Sequence, residues 1–557
     1  MIPIPASRSA CAAGLVALAA CSTPPAAPPA DLVVFGRVWT GDSAQPFVQA
    51  VASRGDTIIA LGDSASIARL AGEKTTVLSN GSALVTPGLM DDHVHFLSGG
   101  FQLSSVDLRP ADSPQEFISR LRAFAAERQP GEWILGGDWD HERWPGAPLP
   151  TRAWIDSITP NNPVFVSRLD GHMGLANSLA LKAAGITRGT RPIPGGTIVK
   201  DPKTGEPTGV LKDEAMGPVY AAVPATTPAQ DDAALARAMS FVASKGVTAV
   251  AAVSSPWNEV AAFKRARAAG TLTLRVALFP GLSDWHRVAD TMTADGPGDD
   301  WLRLAGVKGF VDGSLGSTTA LFFDPYEDER GTRGLLVTPE DSLRSQIGRA
   351  DSAGLQVVVH AIGEKANALV LDIYDSVARA HGPRDRRFRI EHAQHLRPQD
   401  VARMASQGVV ASMQPYHAVD DGRWAGKRLG KRVVNSYVFK SLLDAGAHLA
   451  FGSDWTVAPI DPVLGIHAAV TRRTLDGKNP EGWIPEQKVS VEQALGAYTS
   501  GNAYGVFAEN TRGVLKTGYR ADLVLLDQDL FKVPPETIET ARIRATVVGG
   551  KVVYQAK

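Results

Sequence analysis

Cysteine is nearly missing from this chain, with two residues among 557, Cys11 and Cys21. Both lie at the amino terminus, so the remainder has no disulfide to close and no thiol to oxidise, which excludes a small stapled scaffold. Charge of one sign is missing as well. Lys and Arg number 57 against 58 Asp and Glu, a net charge of −1, so no basic field draws the chain to nucleic acid and no excess selects anionic partners. The amino-terminal apolar stretch from Ala10 to Ala20 is too short to cross a bilayer, which takes about 20 residues. What is present is 44% hydrophobic and 21% charged residues, the balance of a well-packed globule with two structural domains or one elaborated barrel.

Arg8 precedes that stretch, which ends in Leu18-Ala19-Ala20-Cys21. One reading is an ordinary secretory peptide cut near Cys21. The other is that the segment resembles the lipobox of bacterial lipoproteins. That resemblance implies a signal peptide over 1–20 and, over 21–30, a lipidated Cys21 with a Pro/Ala spacer holding the globule off the membrane. The expected location is then the cell envelope, at the periplasmic face of the outer membrane, with the lipid as the sole membrane contact. No twin-Arg pair precedes the apolar stretch, so folding is expected after translocation.

From 31 to 86 the chain reads as short strands broken by Gly-containing turns, such as Leu32-Val33-Val34-Phe35 and Thr57-Ile58-Ile59-Ala60-Leu61, and 506–557 repeats the style. Short strands are marginal alone, so the two ends are expected to pack together as one composite β-sandwich. Between them, over 87–505, eight strand-like runs alternate with helical periodicity: 83–90, 247–253, 274–279, 304–307, 356–359, 388–391, 409–413 and 449–453. Eight such units predict an α/β fold, a (β/α)₈ barrel whose strand ends converge on one face. The gap between the first two runs is too long for one loop. It predicts an inserted lid over 99–230, rich in Trp (Trp133, Trp139, Trp144, Trp154) and lying over the barrel mouth, its tryptophans either lid core or an aromatic wall for the substrate.

Six residues able to ligate a metal follow these runs: His93, His95, Lys308, His360, His392 and Asp454. His93 and His95, two apart, point to the same side of an extended segment, and Pro87-Gly88 is expected to break the strand and aim them into a loop. Each histidine alone reads equally as a hydrogen-bonded core residue; their common position at strand ends favours a metal site. Lys308 reads as a salt-bridge partner of Asp312, a substrate-binding lysine, or a buried amine reactive toward carbon dioxide. Asp454 reads as a cap for the next helix or as a carboxylate that moves a proton beside a metal.

Four segments carry a wider likeness: 87–95, Glu391-His392-Ala393, Gly452-Ser453-Asp454 and 513–524. The chain resembles the amidohydrolase superfamily over nearly all of its length after the leader. Asp170-Gly171-His172, the block 312–317 and the large insertion resemble the branch that includes N-substituted formamide deformylase. The resemblance implies that His93 and His95 bind a buried metal and His360 and His392 a more exposed one. It implies further that carboxylated Lys308 bridges them and that Asp454 is both ligand and proton shuttle. With Lys308 unmodified, a single ion on His93, His95, His360 and Asp454 is the alternative. The cofactor is then one or two divalent metals, zinc first, with manganese or iron compatible. His172 is either a donor to the substrate carbonyl or a structural histidine of the lid. The expected reaction is hydrolysis of a C–N bond in a small amide or cyclic amide. The alternatives are an ester, lactone or phosphoester substrate on the same metals, or a noncatalytic lipoprotein that binds a ligand.

Overall fold

Period-two alternation explains how the central strands sort their side chains between an inner and an outer core. The computed structural model describes residues 1–3 and 28–557. Most of the expected signal peptide and spacer, Cys21 included, lies outside the described residues. The eight central strands are β1 (Leu89–Val94), β2 (Val247–Val253), β3 (Arg275–Phe279), β4 (Leu302–Leu304 and Gly306–Phe310), β5 (Gln356–Ala361), β6 (Arg389–His392), β7 (Val410–Met413) and β8 (Leu449–Phe451). All pair in parallel.

Two sheets, β1 to the first half of β4 and the second half of β4 to β8, meet at both seams and close the ring. At one seam Lys308 N donates to Pro280 O at 2.8 Å; at the other Asp454 N donates to His93 O at 2.8 Å and His95 N to Trp455 O at 2.6 Å. Val307, Val357, Val359 and Ile390 face outward into the core shared with the surrounding helices. Ala251, Val253, Ala277, Phe279 and Val358 fill the inside. Lys308 and His360 share the inward parity of Val358, and therefore point into the ring toward its mouth.

The first strand starts later than the run 83–90 suggested. Residues 71–87 form one long strand of the terminal sheet, and His93 lies inside β1 rather than in a loop after a strand break. Gly88 makes the crossing between the two sheets. A Cβ there would come within 2.2 Å of Thr248 Oγ1 and 2.9 Å of Asp522 Cβ. Asp91 and Asp92 hid the strand because they break its apolar pattern. Both are buried. Ser453 N from across the barrel and His93 N from the same strand donate to Asp91, and Arg389 donates to Asp92 Oδ1, while Asp92 Oδ2 is buried without a partner among the described residues.

The terminal strands form a seven-stranded sheet in which the long strand Ala71–Pro87 runs parallel to Ala30–Trp39 and antiparallel to Leu523–Leu526. Leu32, Val51 and Ile58 from one end share a core with Leu523 and Val547 from the other. The two ends of the chain thus build one continuous sheet, joined through the long strand Ala71–Pro87. Arg275 of β3, fully buried, ties the sheet to the barrel: its Nε and Nη2 donate to Asp522 at 2.7 and 3.0 Å, and it also reaches Asp56.

Between β1 and β2 a six-stranded sheet runs from Val106–Asp107 to Pro207–Asp213. Trp139 and Trp144 are buried in its core, their indole N–H groups donating to Val166 O at 2.9 Å and Ala111 O at 3.1 Å. They are lid core, not a wall for substrate. The helix Pro228–Ser244 then returns the chain to β2, packing Leu235, Met239 and Val242 beside Phe96 and Leu97. The crossing at Gly88 yields a test. Gly88→Ala is expected to cost about 1–3 kcal/mol by overpacking, read as a lowered melting temperature; the double variant with Thr248→Ala recovers part of it.

Candidate metal centre

At the barrel mouth the six expected residues surround one spot. His93, His392 and Asp454 each offer a ligand atom, and the three atoms lie within 4.8 Å of one another. This trio draws on both halves of the ligand set that the family resemblance divides between two metals. His95, half-buried at the turn after β1, brings Nε2 to 3.2 Å from Asp454 Oδ1, and His93 Nε2 lies 3.4 Å from the same oxygen. Lys308 Nζ stands 3.5 Å from His93 Nε2. The His360 ring centroid is 4.5 Å from that of His392.

Strand alternation alone would not gather them. Glu391 points to His93 and Ile390 to the outer core, so His392 would follow Ile390 outward; instead His392 and Ala393 take φ of 75° and 46°, and the imidazole turns toward Asp454. Asp454 itself has φ 59°. Left-handed backbone at non-glycine residues costs about 1–3 kcal/mol each and concentrates where function needs a fixed direction. Asp454 is no helix cap, since Asp461 caps the following helix Pro462–Thr471.

A second set of groups fixes the tautomer of each ring. His93 Nδ1 meets Glu391 Oε2 at 2.5 Å, His392 Nδ1 meets Gln414 Oε1 at 2.9 Å, and His360 Nε2 meets the Gly313 carbonyl at 3.1 Å. Each partner is an acceptor, so that ring nitrogen carries the hydrogen and the opposite one keeps its lone pair for a cation. Burial lowers His93 to about 4, helped by the Lys308 charge, and holds His360 and His392 well below the usual imidazole range, so the rings are neutral. Burial opposes the Asp454 charge, but the imidazoles around it, His93 foremost, more than offset this and keep the carboxylate ionised. Burial also lowers Lys308 to about 8. The expected pairing of Lys308 with Asp312 is not formed: Asp312 accepts from the backbone N–H groups of Leu321, Ile362 and Gly363 at 2.7, 3.0 and 2.8 Å.

Glu391, Gln414 and Gly313 were not assigned roles from the sequence. Glu391 sits beside His392 in a recognisable triplet, which offered a signal; nothing in the sequence places Gln414 or the Gly313 carbonyl beside a ring. His172, from the lid, is half-buried, with its ring centroid 5.0 Å from that of His360. All these groups except the supporting ones open into a chamber of about 980 Å³, bounded on the lid side by residues such as Trp133 and Tyr220.

The donors fit a divalent cation. Asp454 Oδ1 is buried without a hydrogen-bond partner among the described residues, with His93 Nε2 at 3.4 Å, left unprotonated by the bond of Nδ1 to Glu391, and His95 Nε2 at 3.2 Å. A carboxylate oxygen facing lone pairs lacks a positive charge, and an N/O donor set suits zinc, manganese or iron. A parallel barrel bearing such a constellation at its strand ends defines a metal-dependent hydrolase. Residues 81–554 match the family model described as Amidohydrolase family, and the chain belongs to that family. It is 41% identical over 96% of its length to Protein LONG AFTER FAR-RED 3 of Arabidopsis thaliana, covering 93% of that protein. To the N-substituted formamide deformylase of Arthrobacter pascens it is 27% identical, over 94% of this chain and 98% of the relative. An uncharacterized metal-dependent hydrolase from Pyrococcus horikoshii OT3 superposes with a TM-score of 0.73 at 28% identity, covering 90% of this chain and 99% of that one. Because Glu391 sets the His93 tautomer, Glu391→Gln is expected to weaken metal affinity by about 10–100-fold, measured by chelator competition.

Proposed function

We propose that this protein hydrolyses the C–N bond of a small amide or cyclic amide. One observation carries the reading: a buried, unpartnered Asp454 oxygen beside the neutral His93 imidazole, lining the chamber at the barrel mouth. His93, His95, His360, His392 and Asp454 would hold one or two metals, zinc first, with manganese or iron compatible. When bound, a divalent metal supplies Lewis-acid polarisation of the carbonyl and brings the pKa of water near neutrality.

The chain's own groups supply the rest. Asp454, held anionic, takes the proton of the attacking water and delivers it to the leaving nitrogen. That delivery matters for an amide, whose nitrogen leaves poorly unless protonated. His172 donates a hydrogen bond to the carbonyl oxygen as negative charge grows on it. The name of the Arthrobacter pascens relative, a deformylase of N-substituted formamide, supports an amide over an ester.

Lys308 enters this reading as a carboxylated residue. Its neutral amine attacks carbon dioxide, an N–C bond forms, one proton leaves, and the resulting anion sits beside His93. Supporting this, Lys308 is buried, its amine is lowered to about 8, and it makes no ion pair among the described residues. A permanent ammonium 3.5 Å from His93 Nε2 would instead repel a cation there. The amino-terminal segment, with Arg8, the apolar stretch and Cys21, further supports export and anchoring through a lipid on Cys21, at the periplasmic face of the outer membrane.

Matched amide and ester substrates test the bond: turnover of the ester alone would move the assignment to an ester or lactone hydrolase. Asp454→Asn is expected to retain metal while kcat falls by about 10²–10⁴-fold; an active variant removes Asp454 from proton transfer. Lys308→Ala is expected to lose one equivalent of metal and to regain part of its activity with an added short-chain carboxylic acid. Labelled fatty acid should enter the exported protein and be absent from Cys21→Ser.

A further inference from the structure

Two sequence blocks remain outside the metal centre: Asp170-Gly171-His172 of the lid and residues 312–317 after β4. The structure docks one on the other. Ser314 Oγ donates to Asp170 Oδ2 at 2.5 Å, Ser317 Oγ to the same oxygen at 3.2 Å, and Lys212 Nζ to Ser317 O at 2.9 Å. Arg168, fully buried, donates to Asp170 at 2.7 Å and to Asp140 at 2.9 Å. It lies over Gly316, where a Cβ would come within 2.4 Å of the guanidinium. Asp170 Oδ1 in turn accepts from His172 N at 3.2 Å.

At the centre of this junction Asp213 Oδ1 lies 2.7 Å from His172 Nδ1. Asp213 fits against the barrel only because position 313 is glycine. A Cβ there would stand 2.8 Å from Asp213 Oδ1 and 2.0 Å from Thr319 Oγ1. The Gly313 carbonyl is also the acceptor for His360 Nε2, so the same residue seats the lid and orients a candidate ligand. Asp213 is held at φ 48° and ψ −127°, and its Oδ2 is buried without a partner among the described residues. Backbone strain and an unpartnered buried oxygen both disfavour this arrangement. The compensation visible in the structure is the bond to His172, which fixes the ring's tautomer and leaves Nε2 as the free end.

We propose that Asp213 is the positioning residue of His172, and that docking of Asp170 on Ser314 sets where the lid presents that imidazole to the chamber. The inference rests on the reading of the site as an amide hydrolase in which His172 contacts the carbonyl oxygen. Catalysis would then need the lid seated, because the same contacts that close the junction aim the donor.

A mutant cycle with amide exchange decides it. Asp213→Ala is expected to lower kcat by about 10–100-fold with KM within about twofold, as for a group acting only in the transition state. Asp213→Asn, which keeps an acceptor of the same size, should recover part of that loss. In a His172→Ala background, Asp213→Ala should change kcat by less than about twofold, since the two act as one unit. Additive losses would overturn the proposal, as would a fully active Asp213→Ala. Hydrogen exchange needs no substrate: Ser314→Ala, and either Asp213 variant, should speed exchange over residues 170–176, and unchanged protection there in Ser314→Ala refutes the docking. If the protein turns over only the ester of a matched pair, the amide reading fails while the cycle, run on that ester, still decides the role of Asp213. If it turns over neither, the exchange result alone decides.

Discussion

A guanidinium with no exposed surface holds the floor of the site together. Arg389 donates to Glu391 Oε1 at 2.8 Å, to Asp92 Oδ1 at 2.9 Å and to the Asp92 carbonyl at 2.7 Å. Without it two carboxylates would share a space from which water is excluded, a repulsion that such surroundings hardly screen. The two are held differently. Burial pushes Asp92 up to about 8 despite Arg389. Burial works on Glu391 in the same sense, but Arg389 and His93 together bring it down to about 2. Glu391 is therefore kept ionised, and as an acceptor it holds the His93 hydrogen on Nδ1. Removing one partner of a buried charge set leaves the others uncompensated, a loss of about 3–5 kcal/mol, so the direction of a candidate metal ligand is tied to the integrity of β1 and β6 together.

Much of this was legible because strand ends carry their own notation. Lys308, His360 and His392 each lie in or at the end of an apolar run, and alternation with Val358 already gives Lys308 and His360 an inward direction. What was not legible depends on contacts between residues distant in sequence. Asp91 and Asp92 interrupt the apolar pattern of a strand, and only the contacts from Ser453 and Arg389 show how two carboxyl groups are held there. Gly88 looks like a strand breaker, whereas its lack of a side chain is what clears Thr248 where two sheets cross. Trp139 and Trp144 are equally consistent with a lid core and a substrate wall until their N–H groups are found bonded to lid carbonyls. Asp213, Gln414 and Gly313 have no local pattern, because each acts on a ring supplied from elsewhere in the chain.

The insertion divides labour with the barrel along physical lines. Barrel strands are held on both sides by apolar cores, which suits groups whose positions must not vary. The lid has a core of its own, and meets the barrel mouth through ion pairs and hydroxyl contacts such as Arg428 with Glu142 and Ser314 with Asp170. Polar junctions of this kind are directional, so the lid can be aligned by them without being fused to the barrel. Chamber walls from Trp133 and Tyr220 belong to the lid, and Phe310 and Val457 bring the barrel to the same space.

Backbone strain is distributed in the same sense. His392, Ala393, Asp454 and Asp213 all take positive φ, and each orients a group at the site or the next residue to one. Each candidate ligand also has a partner within the protein. His392 is held by Gln414, His93 by Glu391, His360 by Gly313, and Asp454 by its N–H to the His93 carbonyl. Protein contacts therefore support the ligand directions, which lowers what coordination must supply to order the chain. An arrangement braced in this way relaxes little around whatever enters, which favours a cation that accepts imidazole and carboxylate donors in the directions the fold gives them.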